Sequence, residues 1–262
     1  MDDRAWTDYL ACFHGERPGV TERLLALAGA DPYAWLVDPL HGRDGAIVDL
    51  GCGSGPTRDR ISEPRWVGLD SSPEELAYAA AVGRGPLVMG DATALPFRDG
   101  STAAVCAAMS LQVLRPLDTV LSEIERILEP GGLLVSLTPA RLGPSPRGLV
   151  AWGRVLAALR TRHLPWPEPR ACDGTAALLR SRGWTVLSRE RRVFDLRMDR
   201  PEHTSLLVDG LYLPRVGGRR ILTAKRSLTR WAAPGRTLPL PLTRVVARAP
   251  DTTSSRTTVS GG

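Results

Sequence analysis

Lysine is almost missing from this 262-residue chain: 33 of its 34 basic residues are arginine, and Lys225 is the exception. We read that bias as the imprint of GC-rich coding sequence, not as a functional signal. Cysteine is sparse as well. The four, at positions 12, 52, 106 and 172, form no CxxC pair and no Cys/His cluster with metal-ligand spacing. A disulfide scaffold and a structural zinc site are therefore poor readings, and each cysteine reads as a small buried or half-buried residue in a reducing compartment. No metal is expected. No run of 18 apolar residues occurs, which excludes a membrane-spanning helix. The opening Met1-Asp2-Asp3-Arg4 lacks an apolar signal segment, so the expected location is cytoplasmic.

Charge is present but unevenly spread. Residues 1–140 carry 11 Lys+Arg against 20 Asp+Glu, net −9, while residues 141–262 carry 23 against 8, net +15. The basic half is fit to attract nucleic acid, anionic lipid or an acidic small molecule, or simply to solubilise outer helices.

Hydrophobic periodicity changes along the chain. Residues 1–40 read as helical, with a break at Asp31-Pro32. From residue 46 short apolar runs alternate with helical patterns: strands are expected at 46–50, 66–70, 87–89, 103–109 and 133–137, with a helix at 117–128. Ser72-Pro73-Glu74-Glu75 has the form of a helix start, with Ser72 as N-cap, Pro73 at the first position and Glu75 completing a capping box. Beyond 140 the chain is less regular. Helices are expected at 145–163, 173–182 and 219–231, extended segments at 184–187 and 192–196, a last strand at 242–249, and a disordered tail at 250–262. Strands alternating with helices predict an α/β fold: a parallel sheet covered on both faces, with its ligand crevice at the carboxyl ends of the strands.

Those strand ends carry the chemistry. The run Val48-Asp49-Leu50-Gly51-Cys52-Gly53-Ser54-Gly55 is a glycine-rich turn after the first strand. Its third glycine comes one residue too early for a pyrophosphate-binding loop, and Pro56 has no N–H to offer a phosphate. Asp49, just before the glycines, would repel a pyrophosphate and suit a ligand carrying ammonium or sulfonium charge. The pattern turns away from NAD and toward S-adenosylmethionine. Asp70 ends the second strand, where a carboxylate accepts from ribose hydroxyls; Asp91, after the third, is placed to accept from an adenine amino group.

These segments resemble the class I S-adenosylmethionine-dependent methyltransferases, and in particular the group that includes quinone-biosynthesis C-methyltransferases and many small-molecule methyltransferases. The resemblance rests on Asp49-Leu50-Gly51-Cys52-Gly53-Ser54-Gly55, Gly68-Leu69-Asp70-Ser71-Ser72, Gly90-Asp91-Ala92-Thr93-Ala94-Leu95-Pro96-Phe97 and Glu125-Arg126-Ile127-Leu128-Glu129-Pro130-Gly131-Gly132-Leu133-Leu134, in that order over about residues 45–140. It implies a Rossmann-like, doubly wound seven-stranded sheet, mostly parallel, with one antiparallel strand near the edge. It also implies that Gly51 and Gly53 line the methionine moiety, Asp70 holds the ribose, Asp91 and Ala92 hold the adenine, and Ser71 flanks the base. The stretch containing Met109 and Ser110 would face both cofactor and acceptor. One methyltransferase domain is expected over 1–249: a helical cover at 1–44, a cofactor-binding core at 45–140, a substrate-covering insertion with late strands at 141–236, and the last strand at 237–249.

The implied reaction is in-line transfer of a methyl group to an O, N or C nucleophile of a small organic molecule. A base is needed only if the acceptor holds its proton, and His14, in a loop between N-terminal helical pieces, is the candidate. Trp152, Trp166, Trp184 and Trp231 in the insertion, with its arginines, would suit a flat or apolar acceptor with an acidic group. Two other readings remain open: an RNA methyltransferase using the basic half as its footprint, and a protein that binds the cofactor without transferring methyl. Against RNA, the chain has no recognisable RNA-binding module, and Met109-Ser110-Leu111-Gln112 stands where many nucleic-acid methyltransferases carry Asn/Asp-Pro-Pro-aromatic. The helices at 145–163 and 219–231 are also candidates for peripheral contact with anionic membrane. The oligomeric state is not legible.

Overall fold

A computed structural model describes residues 1–61, 65–141 and 145–250. Its centre is a seven-stranded sheet in the order β3-β2-β1-β4-β5-β7-β6. The strands are β1 (Ile47–Leu50), β2 (Trp66–Asp70), β3 (Leu87–Met89), β4 (Thr102–Ala108), β5 (Leu128–Pro139), β6 (Thr185–Arg197) and β7 (Thr237–Arg248). β1 to β5 pair in parallel, and β7 runs antiparallel to both β5 and β6. The sheet is therefore mostly parallel with one reversed strand next to the edge. Strand order turns back on either side of β1, between β2 and β4, which opens a crevice at their carboxyl ends.

Alternation along the buried strands divides the core. Val48, Leu50, Val105 and Leu134 face one layer, filled by helix α5 (Leu117–Ile127) and α7 (Thr175–Ser181). Ile47, Ala104, Cys106 and Val135 face the other, filled by α3 (Pro32–Val37). In α5, Leu117, Val120, Leu121, Ile124 and Ile127 are all buried, the spacing of one helical face. The Asp31-Pro32 break is a restart: Asp31 caps α3 by accepting from the Tyr33 and Ala34 N–H groups, and Pro32 takes the first turn.

The N-terminal segment forms α1 (Asp3–Glu16) and α2 (Val20–Leu25). At the other end of the chain, α6 (Pro146–Leu159), α8 (Pro201–Asp209) and α9 (Gly218–Thr229) gather around a separate apolar cluster that includes Trp152, Val155, Leu207 and Leu228.

One expectation changes. The two extended segments at 184–187 and 192–196 are one continuous strand, β6, with a register shift between Val186 and Ser188. The last strand begins at Thr237, as the domain bounds expected, because the antiparallel ladder with β6 extends it beyond the apolar run at 242–249. After the glycine loop, Pro56–Arg60 forms a single 3-10 turn. Within 141–236, α7 and β6 belong to the sheet layers. The expected disordered tail falls on 251–262, outside the described residues.

Candidate active site

A cavity of about 510 Å³ opens at the carboxyl ends of β1, β2, β3 and β4. Its floor is the glycine loop. The Gly51 and Cys52 N–H groups both donate to the Leu69 carbonyl, at 2.8 and 3.0 Å, tying the loop to β2. Gly51, Gly53 and Gly55 all adopt left-handed backbone, with φ of 65°, 54° and 71°, which accounts for glycine at every second position. A side chain on Gly51 would place its Cβ 2.8 Å from Ser110 Cβ, so this glycine allows the loop to meet β4's end. At Gly53 the nearest atom to such a Cβ is a Glu75 carboxylate oxygen at 3.7 Å, on the cavity side.

Asp70 joins two walls. Its carboxylate accepts the Gly53 N–H at 2.7 Å and the Ser72 N–H at 2.9 Å, and each oxygen keeps a lone pair for a ligand. Burial raises its pKa against those two bonds. Ser71, Asp91 and Ala92 also line the cavity. Asp91 accepts from the Thr93 N–H and hydroxyl through one oxygen, Oδ1. Ser110 lines it too, but its hydroxyl is spent on the Leu50 carbonyl at 2.6 Å. The preceding Met109 has φ of 58°, a strained left-handed conformation of the kind that gathers at functional sites.

Asp49 is the residue that sequence reasoning misplaced. It is fully buried and absent from the cavity wall. Strand alternation is the cause: Asp49 shares the face of Ile47 and Cys106, which points into the α3 layer. There the Thr57 hydroxyl donates to it, and Trp66 Nε1 donates to Thr57 at 3.1 Å. Its other oxygen has no partner, and desolvation lifts its pKa to about 7 despite the Thr57 bond. It supports the loop from below.

His14 does reach the cavity. Asp3, Trp6, Thr7, Leu10, Ala11 and His14 line it from one face of α1, at the spacing of successive helical turns. His14 Nδ1 lies 2.9 Å from Glu75 Oε1, and Nε2 lies 3.1 Å from the Tyr212 hydroxyl. The second Glu75 oxygen accepts the Gly19 N–H at 2.8 Å. The chain carboxylate–imidazole–phenol was not legible in sequence. Glu75 reads there as half of a capping box, but Asp70 takes the Ser72 N–H that Glu75 would have bonded, which frees Glu75 for α1. Tyr212 comes from the far end of the chain, and burial pushes its phenol pKa up.

Trp152, Trp184 and Trp231 are buried in helix packing, and Trp166 stacks edge-on against Tyr212. None of the four lines the cavity, so the expected aromatic and basic cover is replaced by Trp6, Tyr33, Tyr212 and a single arginine, Arg115. Carboxylates dominate: Asp3, Glu22, Asp70, Glu74, Glu75 and Asp91. Such a donor set rejects a pyrophosphate and fits a cationic sulfonium and amine beside ribose and adenine. A volume of this size admits a nucleoside-sized ligand with room for an acceptor. Among the described residues, no His/Cys/Asp/Glu cluster is placed to hold a metal, and no helix is long and apolar enough to cross a membrane.

Comparison with known proteins agrees with this geometry. The family described as a methyltransferase domain matches residues 48–136, from β1 into β5. The chain is 36% identical over 129 residues to a demethylmenaquinone methyltransferase of Thermus thermophilus, covering 46% of this chain and 56%, or about half, of that one. To a demethylmenaquinone methyltransferase of Beutenbergia cavernae it is 30% identical over 171 residues, covering 56% of this chain and 69% of the relative. A Bacillus halodurans crystal structure described as a putative methyltransferase superposes with a TM-score of 0.57 at 17% identity, covering 84% of this chain and all of that one, a likeness of fold. From the glycine loop, the acidic strand ends and the sheet order, together with the extent of the Beutenbergia match, this chain belongs to the class I S-adenosylmethionine-dependent methyltransferases.

Proposed function

We propose that the protein moves the methyl group of S-adenosylmethionine to a nucleophilic atom of a small, largely apolar organic acceptor, and that His14 acts as base through the Tyr212 hydroxyl. The observation that carries this reading is the His14 imidazole, held between Glu75 and Tyr212 on the wall of an acidic cavity at the strand ends. Bound S-adenosylmethionine supplies an electrophilic methyl group. Asp70 would accept from its ribose hydroxyls, Asp91 and Ala92 would hold the adenine, Ser71 would flank it, and Gly51, Gly53 and the Ser110 backbone would line the methionine end. Trp6, Leu10, Val113 and Leu114 supply an apolar wall for the acceptor and help keep water out. A quinone-like ring would suit that wall, in keeping with the names of the demethylmenaquinone relatives.

Proton movement follows from the hydrogen bonds. Glu75, a carboxylate fixed by the Gly19 N–H, would accept a hydrogen bond from the Nδ1–H of His14, which leaves the Nε2 lone pair facing the Tyr212 hydroxyl. As the acceptor's proton passes to the Tyr212 oxygen, the phenol's own proton moves to Nε2, and Glu75 stabilises the resulting imidazolium. The four free cysteines fit a reducing, cytoplasmic setting.

The test is transfer of labelled methyl to a panel of phenolic, amine and carboxylate acceptors. His14→Ala should lower turnover by about 10²- to 10⁴-fold while calorimetric affinity for S-adenosylhomocysteine stays near wild type. Full turnover in that variant would remove His14 from the mechanism. Cofactor binding with no S-adenosylhomocysteine formed from any acceptor would favour a binding protein that does not transfer methyl.

A further inference from the structure

The outer faces of α6 and α9 are not used by the cavity. The two helices belong to one apolar cluster, burying Trp152, Val155 and Leu159 from α6 and Ala224 and Leu228 from α9. Their opposite faces are exposed and mix two chemistries. Leu149 and Val150 on α6 are 63% and 76% exposed, and Leu222 on α9 is 58% exposed. Around them stand Arg154 on α6, Arg219 and Arg226 on α9 and Arg230 at its C-cap, all exposed. The positions 219, 222, 226 and 230 follow one helical face.

Neither helix contains an acidic residue. Among the described residues these four arginines enter no ion pair, whereas Lys225 is neutralised by Asp209 at 2.6 Å. At the start of α9, Arg215, Arg219 and Arg220 with Gly217 and Gly218 line an open groove that has no carboxylate on its wall. Elsewhere in the fold some arginines, such as Arg84, Arg126 and Arg182, are paired with carboxylates. On this pair of helices and in the groove beside them, uncompensated charge is interleaved with exposed aliphatic side chains.

We propose that this face docks the protein on an anionic lipid bilayer. The arginines meet headgroup phosphates, and Leu149, Val150 and Leu222 enter the boundary with the acyl chains. Guanidinium is suited to phosphate because it donates in a planar fork. A second copy of the chain is a poor occupant, since a two-fold interface would set these arginines against themselves. RNA is also disfavoured. Its bases call for exposed aromatic platforms, and the tryptophans of this region, Trp152 and Trp231, are buried behind the helices. The inference does not depend on methyl transfer, and its assay does not read it.

The experiment is co-sedimentation of the full chain with vesicles of phosphatidylcholine alone and of phosphatidylcholine containing phosphatidylglycerol. Binding should require phosphatidylglycerol and weaken with salt. Arg219→Ser with Arg226→Ser should each cost about fivefold in affinity, Arg219→Lys should retain most of it, and Leu149→Asp with Val150→Asp should abolish it. All these side chains are exposed, so folding is not at stake. Vesicle binding that ignores lipid charge, or that survives the arginine and aliphatic variants together, overturns the proposal. So does a dimer in sedimentation equilibrium that Leu149→Asp dissociates, or salt-sensitive binding of an RNA hairpin without vesicle binding.

Discussion

Asp49 has no exposed surface, one hydrogen-bond donor and a neighbouring carboxylate, Asp70, that raises its pKa further. Its folded pKa of about 7 lies above the ordinary value of 3.8, so the folded protein binds a proton here that the unfolded chain has already released. Stability contributed by the protonated group is complete below the unfolded value and is lost as pH rises toward 7. Asp49→Asn should therefore gain in melting temperature over wild type as pH climbs from about 4 to 7, with the difference level above that; a constant difference across the range would contradict the burial argument. Two glycines offer a contrast at the same scale. Gly51→Ala drives a Cβ against Ser110, a clash at 2.8 Å, and should cost stability. Gly53→Val fills space on the cavity side, so its larger effect should be on S-adenosylhomocysteine affinity measured by calorimetry.

At the scale of elements, the notable feature is how α1 and α2 are held. The apolar contacts of α1 are few: Trp6 and Phe13 form a small cluster with Val20 and Tyr212, whereas α2 sends Leu24 and Leu25 into the larger clusters. Polar contacts do the rest. Glu75 bonds His14 and the Gly19 N–H, the Leu213 N–H donates to the Tyr9 hydroxyl, and Glu22 binds Ser54 and Arg84. Burial alone would raise the Glu22 pKa, but the Arg84 and Ser54 bonds outweigh it and hold the carboxyl below its usual range. Removing Glu75 leaves the buried Gly19 N–H unpaired, at a cost of about 1–3 kcal/mol. Glu75→Ala should lower amide hydrogen-exchange protection in residues 3–25 while leaving β1, β4 and β5 protected. Equal loss across the sheet would mean that the cover and the sheet unfold together. By contrast α5, buried through Val120, Leu121 and Ile124, belongs to the central core, and Ile124→Ala should cost about 2–5 kcal/mol in denaturant unfolding.

Taken as a whole, the molecule separates its charge. The cleft lies in the half with net −9, and the α6 and α9 surface lies in the half with net +15. A ligand of the cleft stabilises the entire fold by mass action. S-adenosylhomocysteine at a hundred times its dissociation constant adds about 2.7 kcal/mol, which for a chain of this size corresponds to a rise of roughly 5–10 °C in melting temperature. ATP or NAD at the same concentration should give no rise, because their pyrophosphates would meet carboxylates and a loop without a helix start.

Much of this was legible along the chain because it depends on neighbours in sequence. Strands β1 to β4, the Ser72 cap, the glycine loop and the acidic residues after β2 and β3 are local patterns, and short-range sterics and hydrogen bonding decide them. The positions of Asp70, Ser71, Asp91 and Ala92 around one cavity follow once parallel pairing sets the strand ends side by side. Other features arise only when distant segments meet. Asp49 points away from the cavity because pleat alternation and the α3 layer claim its face. Glu75 leaves its cap because Asp70 outcompetes it for an N–H. His14 and Tyr212, 198 positions apart, share a hydrogen bond only because α1 folds back over the strand ends. Of the tryptophans that composition suggested for a substrate wall, Trp152, Trp184 and Trp231 went into the core, where an indole buries a large apolar area, and Trp166 packs against Tyr212. Local propensity determines which elements form; which face each shows to the cavity is settled by competition for burial and hydrogen-bond partners across the fold.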